Sequence, residues 1–220
     1  MVKEKKTGHI IVISGPSGAG KGTVVKKLLE KNKKMALSIS MTTREPRKGE
    51  IEGKDYYYVT KEHFLKEIDS GNFLEYANVY GTNYYGTPKD KVMNYINKGI
   101  DVILEIDING AIQVKEKFPE TIFIFIMPPS MKELKQRLII RDSETPEKLL
   151  NRFKTAYKEI NEAKKYNYVV INDKVNSAVK KIEAILLAEK CRVDRIEDFD
   201  LNTEEELIHE LLVEKGLTKA

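Results

Sequence analysis

The 220-residue chain has one cysteine, Cys191, and no tryptophan. A single cysteine excludes an internal disulfide and leaves no cysteine cluster for zinc. Three scattered histidines, His9, His63 and His209, supply no metal-ligand spacing either. Long apolar runs are also missing. The longest, Ile122 to Met127, falls far short of the roughly 20 residues a membrane-spanning helix needs. Behind a lysine-rich start only Ile10–Ile13 is apolar, whereas a secretory signal needs about 7–15 such residues, so a cytoplasmic protein without membrane contact is expected. Apolar residues as such are not scarce. At 41% hydrophobic and 33% charged, the chain can bury a core, which argues against wholesale disorder. Its length suits one domain, residues 1–220, built as a core with insertions.

Charge is uneven. The net charge is +4, but residues 191–220 carry −5 and residues 1–190 carry +9. A basic body suggests an anionic ligand, either nucleic acid or small phosphates, although most surface lysines serve only solubility. Charge does not choose between these ligands, and the motifs must.

Four short runs have largely continuous rather than alternating apolar residues, as strands buried on both faces do: His9–Ser14, Val102–Asp107, Thr121–Met127 and Tyr168–Ile171. Helical patterns separate them at Lys21–Asn32, Lys89–Lys98, Ala111–Lys117 and Pro146–Lys165, the last with Thr145 as its cap. Alternating strands and helices predict an α/β fold with a parallel sheet flanked by helices. Residues 35–87 break that rhythm. They are rich in tyrosine and hold one short helix, Lys61–Ser70, capped by Thr60 and stopped by Gly71. Past Asp194 the tail is acidic. Thr203 and Glu206 form a capping box, and Leu207, Leu211 and Leu212 form one apolar face, so a short helix is expected there.

The first strand runs into Gly15-Pro16-Ser17-Gly18-Ala19-Gly20-Lys21-Gly22-Thr23, and a helix follows. This is the context a phosphate-binding loop requires. Glycines let backbone N–H groups converge on an anion, the helix N-terminus adds its dipole, and Lys21 adds a full charge. Gly22 stands where such loops place a metal-ligating Ser or Thr. Magnesium is therefore expected to be held by phosphates and water, with no direct protein ligand.

The next dense segment is Ser40-Met-Thr-Thr-Arg44-Glu-Pro-Arg47-Lys-Gly-Glu-Ile-Glu-Gly-Lys-Asp-Tyr56. Two arginines three apart can fork onto one phosphate, and Tyr56 can add a hydroxyl. Further on come Phe73-Leu-Glu75-Tyr76, then Asn83-Tyr-Tyr85-Gly-Thr87-Pro88, and Pro128-Pro-Ser130 before Glu133, Leu134, Arg137 and Leu138. In this order these segments resemble the guanylate kinases, enzymes that make GDP from GMP. The likeness covers roughly His9 to Val193.

The resemblance implies a P-loop NTPase-like core (residues 8–37, 88–128 and 160–193), a GMP-binding insertion (38–87), a small lid (129–159) and an acidic tail (194–220). It implies that Arg44, Arg47, Tyr56 and Tyr85 bind the GMP phosphate, and that Ser40, Glu75 and Thr87 read the guanine. Glu105 and Asp107 would lie near the acceptor and the magnesium waters. Arg137, Arg141 and Arg152 would line a lid closing on the phosphates, and Asn172 would lie near adenine. The expected ligands are ATP with Mg2+ and GMP, without nucleic acid, in a monomer or weak homo-oligomer.

Elementary chemistry agrees. Guanine presents N1–H and an exocyclic amine, and one carboxylate such as Glu75 can accept from both. Adenine lacks the N1–H and would leave a buried carboxylate unpaired. Glu105 and Asp107, two apart, are expected on one strand face. Arg137 and Arg141, four apart, are expected on one helix face. A phosphate acceptor is already anionic, so catalysis would rest on positioning and charge rather than on a general base. Three other readings stay open: an adenylate-type kinase, a non-catalytic interaction module of guanylate-kinase shape, and a nucleic-acid binder.

Overall fold

The apolar runs form strands in a computed structural model, which describes residues 2–4, 7–79, 81–140, 146–199 and 204–215. In chain order the elements are β1 (Val2–Glu4), β2 (Ile10–Ser14), α1 (Lys21–Lys31), β3 (Met35–Leu37), β4 (Met41–Thr42), β5 (Tyr57–Tyr58) and α2 (Lys61–Asp69). Then follow β6 (Phe73–Val79), β7 (Asn83–Pro88), α3 (Lys89–Ile96), β8 (Asp101–Glu105), α4 (Ile108–Lys117), β9 (Ile122–Met127) and α5 (Met131–Ile140). The last are α6 (Pro146–Asn161), β10 (Tyr168–Ile171), α7 (Val175–Lys190), β11 (Ile196–Phe199) and α8 (Glu204–Glu214). The chain divides into two compact units, residues 6–183 and residues 1–5 with 184–220.

The larger unit is built on a parallel sheet of order β10-β9-β2-β8-β3. β2 lies at its centre, and Ile11, Val12 and Ile13 are each 0% exposed, so both faces of this strand are covered. One face packs Val12, Leu104 and Phe123 against Val92 of α3, Val114 of α4 and Leu74 of β6. Because the strands are parallel, their C-terminal ends share one edge of the sheet, where α/β folds bind ligands. The loop after β2, the segment after β8 and Asn172 after β10 all emerge at that edge.

A second sheet, of order β5-β4-β7-β6, comes from the segment that interrupts the α/β rhythm. β6 and β7 form an antiparallel hairpin that sets Glu75 opposite Thr87. Under it, Phe64 of α2 is fully buried and stacks on Phe73 at 4.5 Å. Thr60 caps α2, accepting from His63 N at 3.2 Å, a contact that stabilises a helix by about 1 kcal/mol. Helices α5 and α6 pair through Leu134, Leu138 and Ala156, bordered by Leu149, Phe153 and Ile160.

Several expected boundaries shift. β3 is a fifth strand of the parallel sheet, too short at three residues to show a pattern of its own. β8 stops at Glu105, and Asp107 instead caps α4, accepting from Gly110 N at 2.9 Å. Glu105 and Asp107 therefore do not share a strand face. Helix α4 starts at Ile108, three residues before the expected Ala111, because that cap satisfies its first turn. Helix α6 gives way at Glu162 to a 3-10 turn running to Lys165. Helix α7, which the sequence reading does not include, buries Ala178, Val179 and Ile182.

In the smaller unit β1 pairs with β11 in antiparallel fashion, and Glu189 forms ion pairs with Arg192 and Arg195. Helix α8 forms where the tail pattern predicts one. Its expected capping residue Thr203, like Thr145 before α6, lies outside the described residues.

Candidate functional site

The loop between β2 and α1 is shaped for an anion. Gly20 is the N-cap of α1 and adopts φ +86°, with no side chain capping the helix and no acidic residue in its first turn. A carboxylate there would compete with a ligand for the positive end of the helix. Gly20 also lies close against its neighbours, because a Cβ on it would stand 2.6 Å from Asn172 Nδ2. Asn172 is buried, and Nδ2 donates to Ala19 O at 2.8 Å. The Asn172 backbone carbonyl accepts from Arg137 Nη2 at 3.1 Å, and Arg137 Nε donates to Glu133 at 3.0 Å. Gly20, Arg137 and Asn172, with Gly18, Thr23, Asp173 and Val175, line a cavity of about 300 Å³ beside the loop. Lys21 Nζ donates to Gly15 O, which holds the ammonium over the loop.

A second cavity of about 410 Å³ opens in front of the loop. Gly15 and Lys21 form one wall, Ser40 and Tyr56 come from the insertion, and Glu105, Asp107 and Glu159 add three carboxylates to the lining. Glu105 sits against Gly22, its nearest carboxylate oxygen 3.6 Å from where a Cβ on that glycine would stand. Carboxylate oxygens on this wall are the hard donors that a hydrated magnesium ion favours.

In the insertion, Arg44 and Arg47 are organised by a residue the sequence reading leaves unassigned. Glu50 accepts from Arg44 Nη2 at 2.9 Å, from Arg47 N at 2.7 Å and from the Tyr58 hydroxyl at 2.8 Å. The Arg44 hydrogen bond, first among these, holds the Glu50 carboxyl at about 2. Burial, then the bond to Glu50, pushes the Tyr58 hydroxyl up to about 12. The Arg44 guanidinium lies over the Tyr56 ring at 5.3 Å, and Tyr56 meets Tyr85 edge-on at 5.9 Å. Arg44 Nε is buried with no hydrogen-bond partner, an open donor in a basic cluster.

Glu75 is only 7% exposed, although its place just past a helix and a turn suits a surface residue. Its Oε1 accepts from the fully buried Thr87 hydroxyl at 2.6 Å. The Thr87 proton is thus committed to the carboxylate. Burial raises the Glu75 pKa from its ordinary value, and the Thr87 bond partly opposes this.

From α6, Arg152 Nη2 donates to Ser17 Oγ at 3.0 Å, and Glu159 accepts from Ser17 N at 3.4 Å. Burial raises the pKa of Glu159 too. Arg152, Ala156, Glu159 and Ala163 follow 4-3-4 spacing, so one helix face carries both contacts, and that spacing is the signal that could have found Glu159. Glu50 is one of four acids among residues 44–55, beside four basic residues, and no local signal singles it out. Arg141 lies outside the described residues, so its expected pairing with Arg137 has no geometry here.

A family model described as guanylate kinase matches residues 7–189 of this chain. The chain is 62% identical over 205 residues to a guanylate kinase of Clostridium tetani, across 93% of this chain and 98% of that protein. It is 57% identical over 204 residues to one from Caldanaerobacter subterraneus subsp. tengcongensis, across 93% and 98%. It also resembles the crystal structure of guanylate kinase from Anaplasma phagocytophilum, with TM-score 0.70 and 36% identity over 98% of this chain and 99% of that one.

Proposed function

We propose, from the premise that this chain belongs to the guanylate kinase family, that it transfers the terminal phosphoryl group of ATP to GMP, and to dGMP, giving the diphosphate and ADP. The observation that carries this reading is the cavity lined by both Gly15 and Lys21 of the phosphate loop and Ser40 and Tyr56 of the insertion. Phosphoryl transfer between two nucleotides needs their phosphates brought together in line and away from water.

In this reading residues 15–23 cradle the ATP phosphates, and Lys21 exchanges its loop carbonyl for phosphate oxygens. Arg44, Arg47, Tyr56 and Tyr85 hold the GMP phosphate, and the open Arg44 Nε is one donor to it. Ser40 and Glu75 read guanine. Thr87 acts by keeping Glu75 in place, as its hydrogen bond supports. Arg137, Arg141 and Arg152 neutralise the group in flight. Asn172 braces the loop on the adenine side. Glu105 and Asp107 would hold the water shell of a Mg2+ ion brought in with ATP. Such an ion would supply neutralisation of phosphate charge.

Residues 38–87 are then the acceptor-binding insertion and 129–159 the lid. Residues 8–37, 88–128 and 160–193 are the core, and 194–220 form an appended tail. The acceptor oxygen is already anionic, so the site needs no general base. A place in purine nucleotide metabolism in the cytoplasm suits this reaction. Among the described residues no helix is long and apolar enough to cross a membrane.

A coupled ADP-release assay tests the proposal, with ATP and magnesium fixed and GMP, dGMP, AMP, CMP or UMP as acceptor. Turnover with GMP and little with AMP is expected. A preference for AMP would overturn the roles of Ser40, Glu75 and Thr87 together.

A further inference from the structure

The strand that carries Glu75 is held from outside its own sheet. β6 is an edge strand, so the backbone groups on its outer side have no neighbouring strand to bond. Helix α4 takes that place. Gln113 Nε2 donates to Tyr76 O at 3.0 Å, and Gln113 Oε1 accepts from Tyr76 N at 3.2 Å. A side-chain amide has the donor and the acceptor of a peptide group, so one Gln113 does the work of a paired residue. One turn further, Lys117 Nζ donates to Leu74 O at 3.2 Å and to Phe73 O at 3.3 Å.

The backbone on both sides of Glu75 is therefore gripped by side chains of one helix. The carboxylate itself rests against that helix, because a Cβ on Gly110 would lie 2.9 Å from Glu75 Oε2. Gly110, Gln113 and Lys117 lie at i, i+3 and i+7, on one helix face. The same helix begins at the Asp107 cap. One rigid element thus sets where both acids stand.

We propose that Gln113, with Lys117, is a positioning residue for guanine recognition: by pinning the Leu74–Tyr76 backbone to α4, it aims the Glu75 carboxylate at both guanine donors at once. The proposal rests on the reading of Glu75 as the guanine acceptor. A carboxylate on a loose edge strand would still meet one N–H but would lose its aim on the second. Inosine monophosphate lacks the exocyclic amine and so isolates that second bond.

The experiment compares GMP with inosine monophosphate as acceptor for wild type, Gln113→Met, Lys117→Met and Glu75→Gln, with the ATP KM and the melting temperature measured alongside. Gln113→Met keeps the side-chain length and removes both hydrogen bonds. Its GMP KM should rise about fivefold, as for one lost hydrogen bond, and the GMP preference should fall in step. Its ATP KM should stay at the wild-type value. An unchanged preference overturns the proposal, and so do equal losses on both acceptors and on ATP, which mark a merely structural role. If Gln113→Met does not fold, Lys117→Met, altered at an exposed end of the same grip, carries the same comparison with the same two outcomes. Glu75→Gln separates the failures. A wild-type preference in that variant overturns the reading of Glu75 itself. Loss of preference there but not in Gln113→Met sinks only the positioning role.

Discussion

Replacing Glu75 by Gln removes a charge and keeps the shape, and its two effects should run in different directions. The carboxylate is 7% exposed and accepts one hydrogen bond from Thr87. If it also accepts from guanine, the variant loses bonds made to a charged group, each worth about 1.5–3 kcal/mol, or roughly 10- to 150-fold in kcat/KM for GMP. Stability follows the opposite logic. The folded-state pKa of Glu75 is raised above the ordinary 4.5, with burial as the main cause, so the folded chain holds this proton more tightly than the unfolded chain. Such a group favours folding fully below the ordinary value, and this contribution is lost as pH rises through the folded one. Wild type should therefore lose stability relative to Glu75→Gln as pH climbs upward from the ordinary carboxyl value of 4.5. The assays are GMP saturation at fixed ATP and melting curves of both proteins from that pH upward. A GMP preference that survives the substitution refutes the recognition argument. A stability difference that is flat with pH, or that grows in favour of wild type, refutes the burial argument.

Arg44→Ala should raise the GMP KM tenfold or more, roughly, while the ATP KM holds, because it removes the forked donor but leaves the phosphate loop alone. Near-normal saturation by GMP would contradict the acceptor-site assignment. Thr87→Val leaves a buried carboxylate oxygen without its donor and should cost about 1–3 kcal/mol in denaturant unfolding, whereas Thr87→Ser should cost less. Equal effects of the two would show that the hydroxyl is not what matters. Gly20→Ala forces a side chain into a left-handed conformation at about 1–2 kcal/mol and into Asn172, so its melting temperature and ATP affinity should both fall. Adding Asn172→Ala removes the clash, and the double variant should be less destabilised than the sum of the singles. Strict additivity would refute the contact.

Contiguous signals were legible from the residues alone. The loop from Gly15 to Thr23, the strands around it and the Thr60 cap depend on neighbours in sequence, and the structure keeps all of them. Strand ends were less legible, since apolar Ile106 continues Val102–Asp107 past Glu105 and the Asp107–Gly110 hydrogen bond starts the helix there. Arg44 and Arg47 could be read as an anion site, but the Glu50 carboxylate that orders them could not, because its three donors come from residues 44, 47 and 58.

The sequence by itself determined the α/β class, the phosphate loop and the inventory of charged and hydroxyl groups, because backbone propensity and apolar periodicity act over a few residues. Only the tertiary structure decided which of those groups are buried and which partner each one meets. Glu75 follows a helix and a turn and has the local character of a surface acid. It is buried because β7 returns alongside it with Thr87, and because Gly110 lets α4 come close. The grip of Gln113 on Tyr76 spans 37 residues of sequence. Burial and hydrogen-bond partnership are set by segments that meet only on folding, and no window of neighbours contains them.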